Sequence, residues 1–178
     1  MAELCRYGMH RFKEMEYGNL QHLKIIMYRC ILLVLLLLFV ASCDSKRVFE
    51  EYRPVDRRGW HCDSTMVFRA VLRKDIGYGM YLNVRNMGNY SNRNLWLSVS
   101  THFPDGGLRT DTVELILADP SGRWKGSGIG DLYDYRFLYR QDMKFPLSGE
   151  YRFVIRQAMR PEMLKGIHDV GMRLEVSR

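Results

Sequence analysis

Cys43 has the most definite chemical prospect in the chain, because of what precedes it. Val40-Ala41-Ser42 sets small side chains directly before the thiol. A lipoprotein signal peptidase seats small residues at its cleavage point, after the thiol has taken diacylglycerol through a thioether. Upstream, Ile31 to Val40 is apolar throughout, and Arg29 puts a positive charge just before it. A membrane-spanning helix needs about 20 apolar residues, so this run fits the hydrophobic core of a signal peptide instead. Val40 to Cys43 resembles the bacterial lipobox, which makes Cys43 the expected lipidation site. Cleavage there frees an amine that is acylated in turn, and two or more acyl chains hold a domain firmly where a single chain holds it marginally.

The remaining reactive types are sparse. Once Cys5 and Cys30 leave with the leader and Cys43 is blocked by lipid, Cys62 is left alone. There is no CxxC, and His61, His102 and His168 fall in no metal-ligand spacing, so no metal is expected. Gly126-Ser127-Gly128-Ile129-Gly130-Asp131 is glycine-rich, but a dinucleotide fingerprint needs glycine where Asp131 stands, after a strand and before a helix. No serine lies in a GxSxG elbow. No catalytic residue, cofactor or small-molecule substrate is therefore expected, and an exported hydrolase reading lacks clustered titratable groups.

Two features suit binding or modification. Trp124, Asp131, Tyr133 and Asp134, with Tyr135, put aromatics beside carboxylates and form a candidate interaction loop, either as a sugar- or peptide-binding patch or as packing. Asp63-Ser64-Thr65 and Asp111-Thr112-Val113 look like acceptors of periplasmic O-glycosylation at Ser64 and Thr112. Arg69, Arg140, Arg152, Arg156 and Arg173 are read as outward residues, either a solvated face that guards sheet edges or a contact for anionic lipid or an acidic partner.

Alternation with a period of two supplies the elements that carry these residues. It runs through Thr65–Leu72, Met80–Arg85, Leu95–Phe103, Thr112–Leu117, Phe137–Phe145, Tyr151–Arg156 and Val170–Val176. A short strand is expected around Arg47–Tyr52, and a helical turn near Ala158–Leu164. Strands with one apolar and one polar face pack as two sheets over one core. The expected fold is all-β: a single antiparallel β-sandwich, jelly-roll or immunoglobulin-like.

The 178 residues divide into a leader and lipoprotein signal peptide over 1–42, a lipidated tether over 43–59 and a β-sandwich over 60–178. Met27 would open a compact signal and is an alternative start. The chain is 47% apolar and 26% charged, which suits a globular domain and excludes disordered or coiled-coil classes. The whole chain carries +7, and beyond residue 42 there are 22 basic against 17 acidic residues, a charge of +5. Nucleic acid is not an expected partner of an exported lipoprotein.

Several stretches resemble the gliding-motility lipoprotein family called GldH. They are Cys43 to Tyr52, Trp60 to Ser64, Tyr81 to Asn86, Phe103 to Gly106, Thr110 to Glu114, the dense run Leu117 to Asp134, Gln157 to Arg160, and Gly166 to Glu175. The resemblance implies a lipoprotein needed for cell-surface gliding beside the type IX secretion machinery. It implies no catalytic residue, cofactor or metal. The expected setting is the cell envelope, lipid-anchored in the outer membrane, with other gliding and secretion envelope proteins as partners.

Overall fold

The computed structural model describes residues 27–33, 44 and 46–177. Cys43 and most of the expected leader lie outside them. Residues 27–33 are helical. No helix among the described residues is long and apolar enough to cross a membrane. The folded unit spans Lys46–Arg178.

Among the described residues eleven strands follow in chain order: β1 (Arg47–Pro54), β2 (Trp60–His61), β3 (Met66–Leu72), β4 (Gly77–Met87), β5 (Asn94–His102), β6 (Leu108–Ile116), β7 (Ser127–Ile129), β8 (Leu132–Lys144), β9 (Gly149–Gln157), β10 (Met163–Leu164) and β11 (Ile167–Val176). One sheet runs β1-β11-β4-β8-β7 and another β3-β9-β5-β6, while β10 and β2 form a two-stranded pair. Every strand pairing is antiparallel. Leaving out the three short strands, the orders become first-eighth-third-sixth and second-seventh-fourth-fifth. That is jelly-roll topology, so of the two sandwiches anticipated the immunoglobulin-like one drops out.

The alternation places the core as the residues suggested. Phe68 and Leu72, Met80 and Leu82, Leu95 and Leu97, Tyr151 and Phe153, and Met172 and Leu174 are all fully buried. Each such side chain contributes on the order of 1.5–3 kcal/mol relative to exposure. Phe145 joins the two layers, stacking edge-on against Tyr78, Tyr151 and Phe153.

Two expectations change. The short strand expected around Arg47–Tyr52 forms and runs further, over Arg47–Pro54, paired with β11 along its length, so this part of the expected tether belongs to the sandwich. The jelly roll needs this strand at the sheet edge, and Phe49 on its inner side packs against Phe68 across the sandwich. No helical turn forms over Ala158–Leu164. Bends lead instead into β10. Gln157 organises them, donating to the carbonyl of Pro161 at 2.9 Å and accepting from the N–H of Met159 at 2.8 Å.

Candidate interaction surfaces

The glycine-rich run is a hairpin. Ser127, Gly128 and Ile129 pair with Asp134, Tyr133 and Leu132. Gly130 opens its two-residue turn with φ of 67°, a left-handed value that favours glycine. At Gly128 an added Cβ would stand 1.7 Å from the Leu132 carbonyl oxygen, so the two strands approach too closely for any side chain. The hairpin tip carries Ile129, 96% exposed.

The candidate loop residues gather around this hairpin, each already engaged. Trp124 sits between Tyr90 and Tyr133, with ring centroids at 6.3 and 5.9 Å. Both Trp124 and Tyr135 pack partly buried against the core. Asp131 accepts the Gly88 N–H with its side chain at 3.1 Å, and Asp134 takes a 2.9 Å ion pair from Arg85. Just upstream, Asp119 accepts from the Ser121 hydroxyl at 2.6 Å and from the backbone N–H of Arg123 at 3.0 Å. Those bonds, the Ser121 hydroxyl first, lower its pKa to about 2. The rings pack against one another and the core, and Trp124, Tyr133 and Tyr135 are each half-buried.

His61, Cys62 and Asp63 bring three possible ligand atoms within 4.8 Å of one another. Both imidazole nitrogens are in use, however. Nδ1 lies 3.1 Å from the Asp63 N–H and Nε2 lies 3.0 Å from Glu162. A cation there would have to break a hydrogen bond.

The outer face of the five-stranded sheet closes on itself. Register sets Glu50 opposite Arg173, and Arg85 between Asp169 and Asp134. Arg173 donates to Glu50 and to Glu175, both at 2.6 Å, and Arg136 reaches Glu50 at 3.2 Å. Arg85 also lies 4.1 Å over the Tyr52 ring, which covers Gly171. Arg173 is only 4% exposed. Burial pushes the Glu50 carboxyl up, but Arg173, with Arg47 and Arg136, brings it below its ordinary value. Buried Asn83 donates weakly to Glu50, and its side-chain oxygen has no hydrogen-bond partner among the described residues.

The outer face of the four-stranded sheet stays open. Arg69 stands directly across from Arg152, and Arg152 across from His102. Hydroxyls fill the next rows, with Ser100 and Thr110 2.8 Å apart. Arg152 donates to His102 Nδ1 at 3.1 Å, and Arg69 has only a distant Glu150 at 3.9 Å. Neither Arg152 nor Arg156 has a carboxylate partner among the described residues. Beside this face, between the edge strands β1 and β3, lies a cleft of about 610 Å³. Arg53, Arg69, Arg152 and Glu51 line it, with Met66 and Val67.

The five arginines read as outward thus separate. Arg69, Arg152 and Arg156 are exposed on the open face. Arg173 is buried in ion pairs, and Arg140 pairs with Asp111 at 3.2 Å. Arg53 of the cleft escaped the sequence reading because it was assigned to a tether. Ser64 is exposed in a turn, and Thr112 is exposed on β6, paired with Ser98.

Comparison with known proteins identifies the family. Residues 47–174 match the family described as GldH lipoprotein. The gliding motility lipoprotein GldH of Flavobacterium johnsoniae is 40% identical over 153 residues, covering 82% of this chain and 93% of that protein. A protein named as its homolog in Christiangramia forsetii is 36% identical over 149 residues, covering 79% and 91%. Among solved structures, the periplasmic lysozyme inhibitor PliG of Aeromonas hydrophila gives a TM-score of 0.32 at 14% identity, covering 76% of this chain and 90% of that one. A cellulose-specific carbohydrate-binding module gives 0.38 at 8%, covering 71% of each. Likeness that weak carries no functional argument. The family match over nearly the whole sandwich, with two relatives above 30% identity, is sufficient: the chain belongs to the GldH lipoprotein family.

Proposed function

We propose that the protein is a non-catalytic structural or interaction component of the gliding motility and type IX secretion apparatus, anchored by a lipid on Cys43 in the outer membrane. The observation that carries this is the 40% identity to a gliding motility lipoprotein over 93% of its length. The surfaces support it, since the carboxylates Glu50, Asp134, Asp169 and Glu175 are each held by arginine. Deleting the gene should abolish colony spreading and release of type IX cargo. Wild type should restore both, and Cys43→Ala should restore neither and should take up no fatty acid. Spreading and cargo release that survive the deletion overturn the reading.

On this account translation starts at Met27, and the leader removed before Cys43 is residues 27–42. Any peptide from residues 1–26 detected in cells refutes that start. Ser64 and Thr112 remain the proposed glycan acceptors. Ser64 is the better placed, because its turn is exposed while Thr112 sits in a ladder. A glycan-shifted band that persists in the double change Ser64→Ala, Thr112→Ala refutes both.

A further inference from the structure

β1 and β3 are the edges of the two sheets on the same side of the sandwich. Among the described residues each hydrogen-bonds to one neighbouring strand, β11 and β9 respectively. Alternate N–H and C=O groups of both strands are therefore unpaired by the sheets, as in any edge strand. The cleft of about 610 Å³ lies between them. Its charge is unbalanced, with three guanidinium groups against the single carboxylate of Glu51, which Arg53 already holds at 2.7 Å. Arg69 and Arg152 face each other across the β3–β9 ladder, an arrangement of like charges that costs stability and that a carboxylate would relieve.

We propose that this cleft receives an acidic, extended segment of a partner protein, which adds to the β3 edge as a further strand. Alternate side chains of such a segment point to opposite sides. Outward carboxylates would lie beside Arg69 and within reach of Arg152. Inward side chains would meet Met66 and the Arg53 guanidinium. Backbone pairing supplies affinity and the arginines supply selection, as in other strand-addition sites. A lipid headgroup would use the charge but leave the free backbone edge and the apolar lining unused. The proposal rests on the reading of the protein as a partner-binding lipoprotein.

The test uses the full-length lipoprotein in detergent and an eight-residue fluorescent peptide of alternating Glu and Val. Anisotropy should rise with wild type and fall away as salt is added. The Lys-Val counterpart and a backbone N-methylated Glu-Val peptide should not bind. Arg69→Gln and Arg152→Gln together should weaken binding about tenfold. Arg156→Gln, on the same face but outside the cleft, should change it less than about twofold. Unfolding midpoints of the variants confirm that they are folded. Equal binding by the Lys-Val or N-methylated peptide overturns the proposal, as does binding indifferent to Arg69 and Arg152. Displacement by millimolar inorganic phosphate makes the cleft a phosphate site. Displacement by phosphatidylglycerol vesicles, but not by neutral ones, makes it a membrane contact. Either outcome also overturns strand addition. A deletion strain that still spreads would sink the functional reading and leave the peptide result standing, so the two fail separately.

Discussion

The two outer faces of the sandwich are built from similar residues and behave in opposite ways. On the five-stranded sheet every arginine named above meets a carboxylate, and Arg173 is withdrawn from solvent. On the four-stranded sheet Arg69 and Arg152 meet each other. The difference is register, because the same outward positions carry opposite charges on β1 and β11 and like charges on β3 and β9. One face is therefore a second, polar core, and the other keeps its charge for something outside the molecule.

Mutations separate the two faces, and the largest effect falls on the closed one. Arg173→Ala should cost about 3 kcal/mol in denaturant unfolding, because it strands Glu50 without its main partner. A loss under about 1 kcal/mol would mean that the network is ornamental. Gly171→Ala follows at about 1–3 kcal/mol, since an added Cβ would stand 2.9 Å from both the Tyr52 ring and the Glu51 carbonyl oxygen. Moving Tyr52 should also release Arg85, which a Tyr52→Ala variant would show as a comparable loss.

Acid offers a finer test of the same face. The Glu50 carboxyl sits below its ordinary value despite burial, through Arg173 above all. Its stabilisation is therefore complete above the unfolded carboxylate pKa and fades as pH falls through the folded one. Wild type should lose stability across that acid range, and Arg173→Ala should lose less of it. Equal slopes for the two proteins would break the link.

The smallest effect is expected on the open face. Arg69→Ala removes a like-charge pair and should leave stability unchanged or raise it by a few tenths of a kcal/mol. A clear destabilisation would show that the open face is structural after all.

Much of the sandwich was legible from local pattern. Seven alternating stretches became β3, β4, β5, β6, β8, β9 and β11, because a strand with one buried face must repeat every second residue. β1 was only half visible. Its inner side carries Phe49 and then Glu51 and Arg53 at the rim, so apolar alternation lapses after one residue. Charges and Pro54 on an edge strand are a known guard against aggregation, and they also hide the strand. Trp124, Tyr133 and the loop aspartates were recognisable as a group, but no spacing revealed that the two rings pack together while Asp131 and Asp134 turn to Gly88 and Arg85. Arg173 looked solvated because its partner Glu50 lies 123 residues away. The cleft was invisible for the same reason, since it exists only where two sheet edges meet.

The position of β1 has a mechanical consequence. Only three residues separate Cys43 from Arg47, where the ladder to β11 begins. A fully extended link of that length reaches about 14 Å, so a domain held by the proposed lipid on Cys43 would have almost no slack. A pull through Cys43 along β1 loads the β1–β11 hydrogen bonds together, in shear, and does not peel them one at a time. With the lipid on Cys43 as proposed, so short a link would act as a rivet rather than an elastic leash and would pass tension from a membrane into the sandwich.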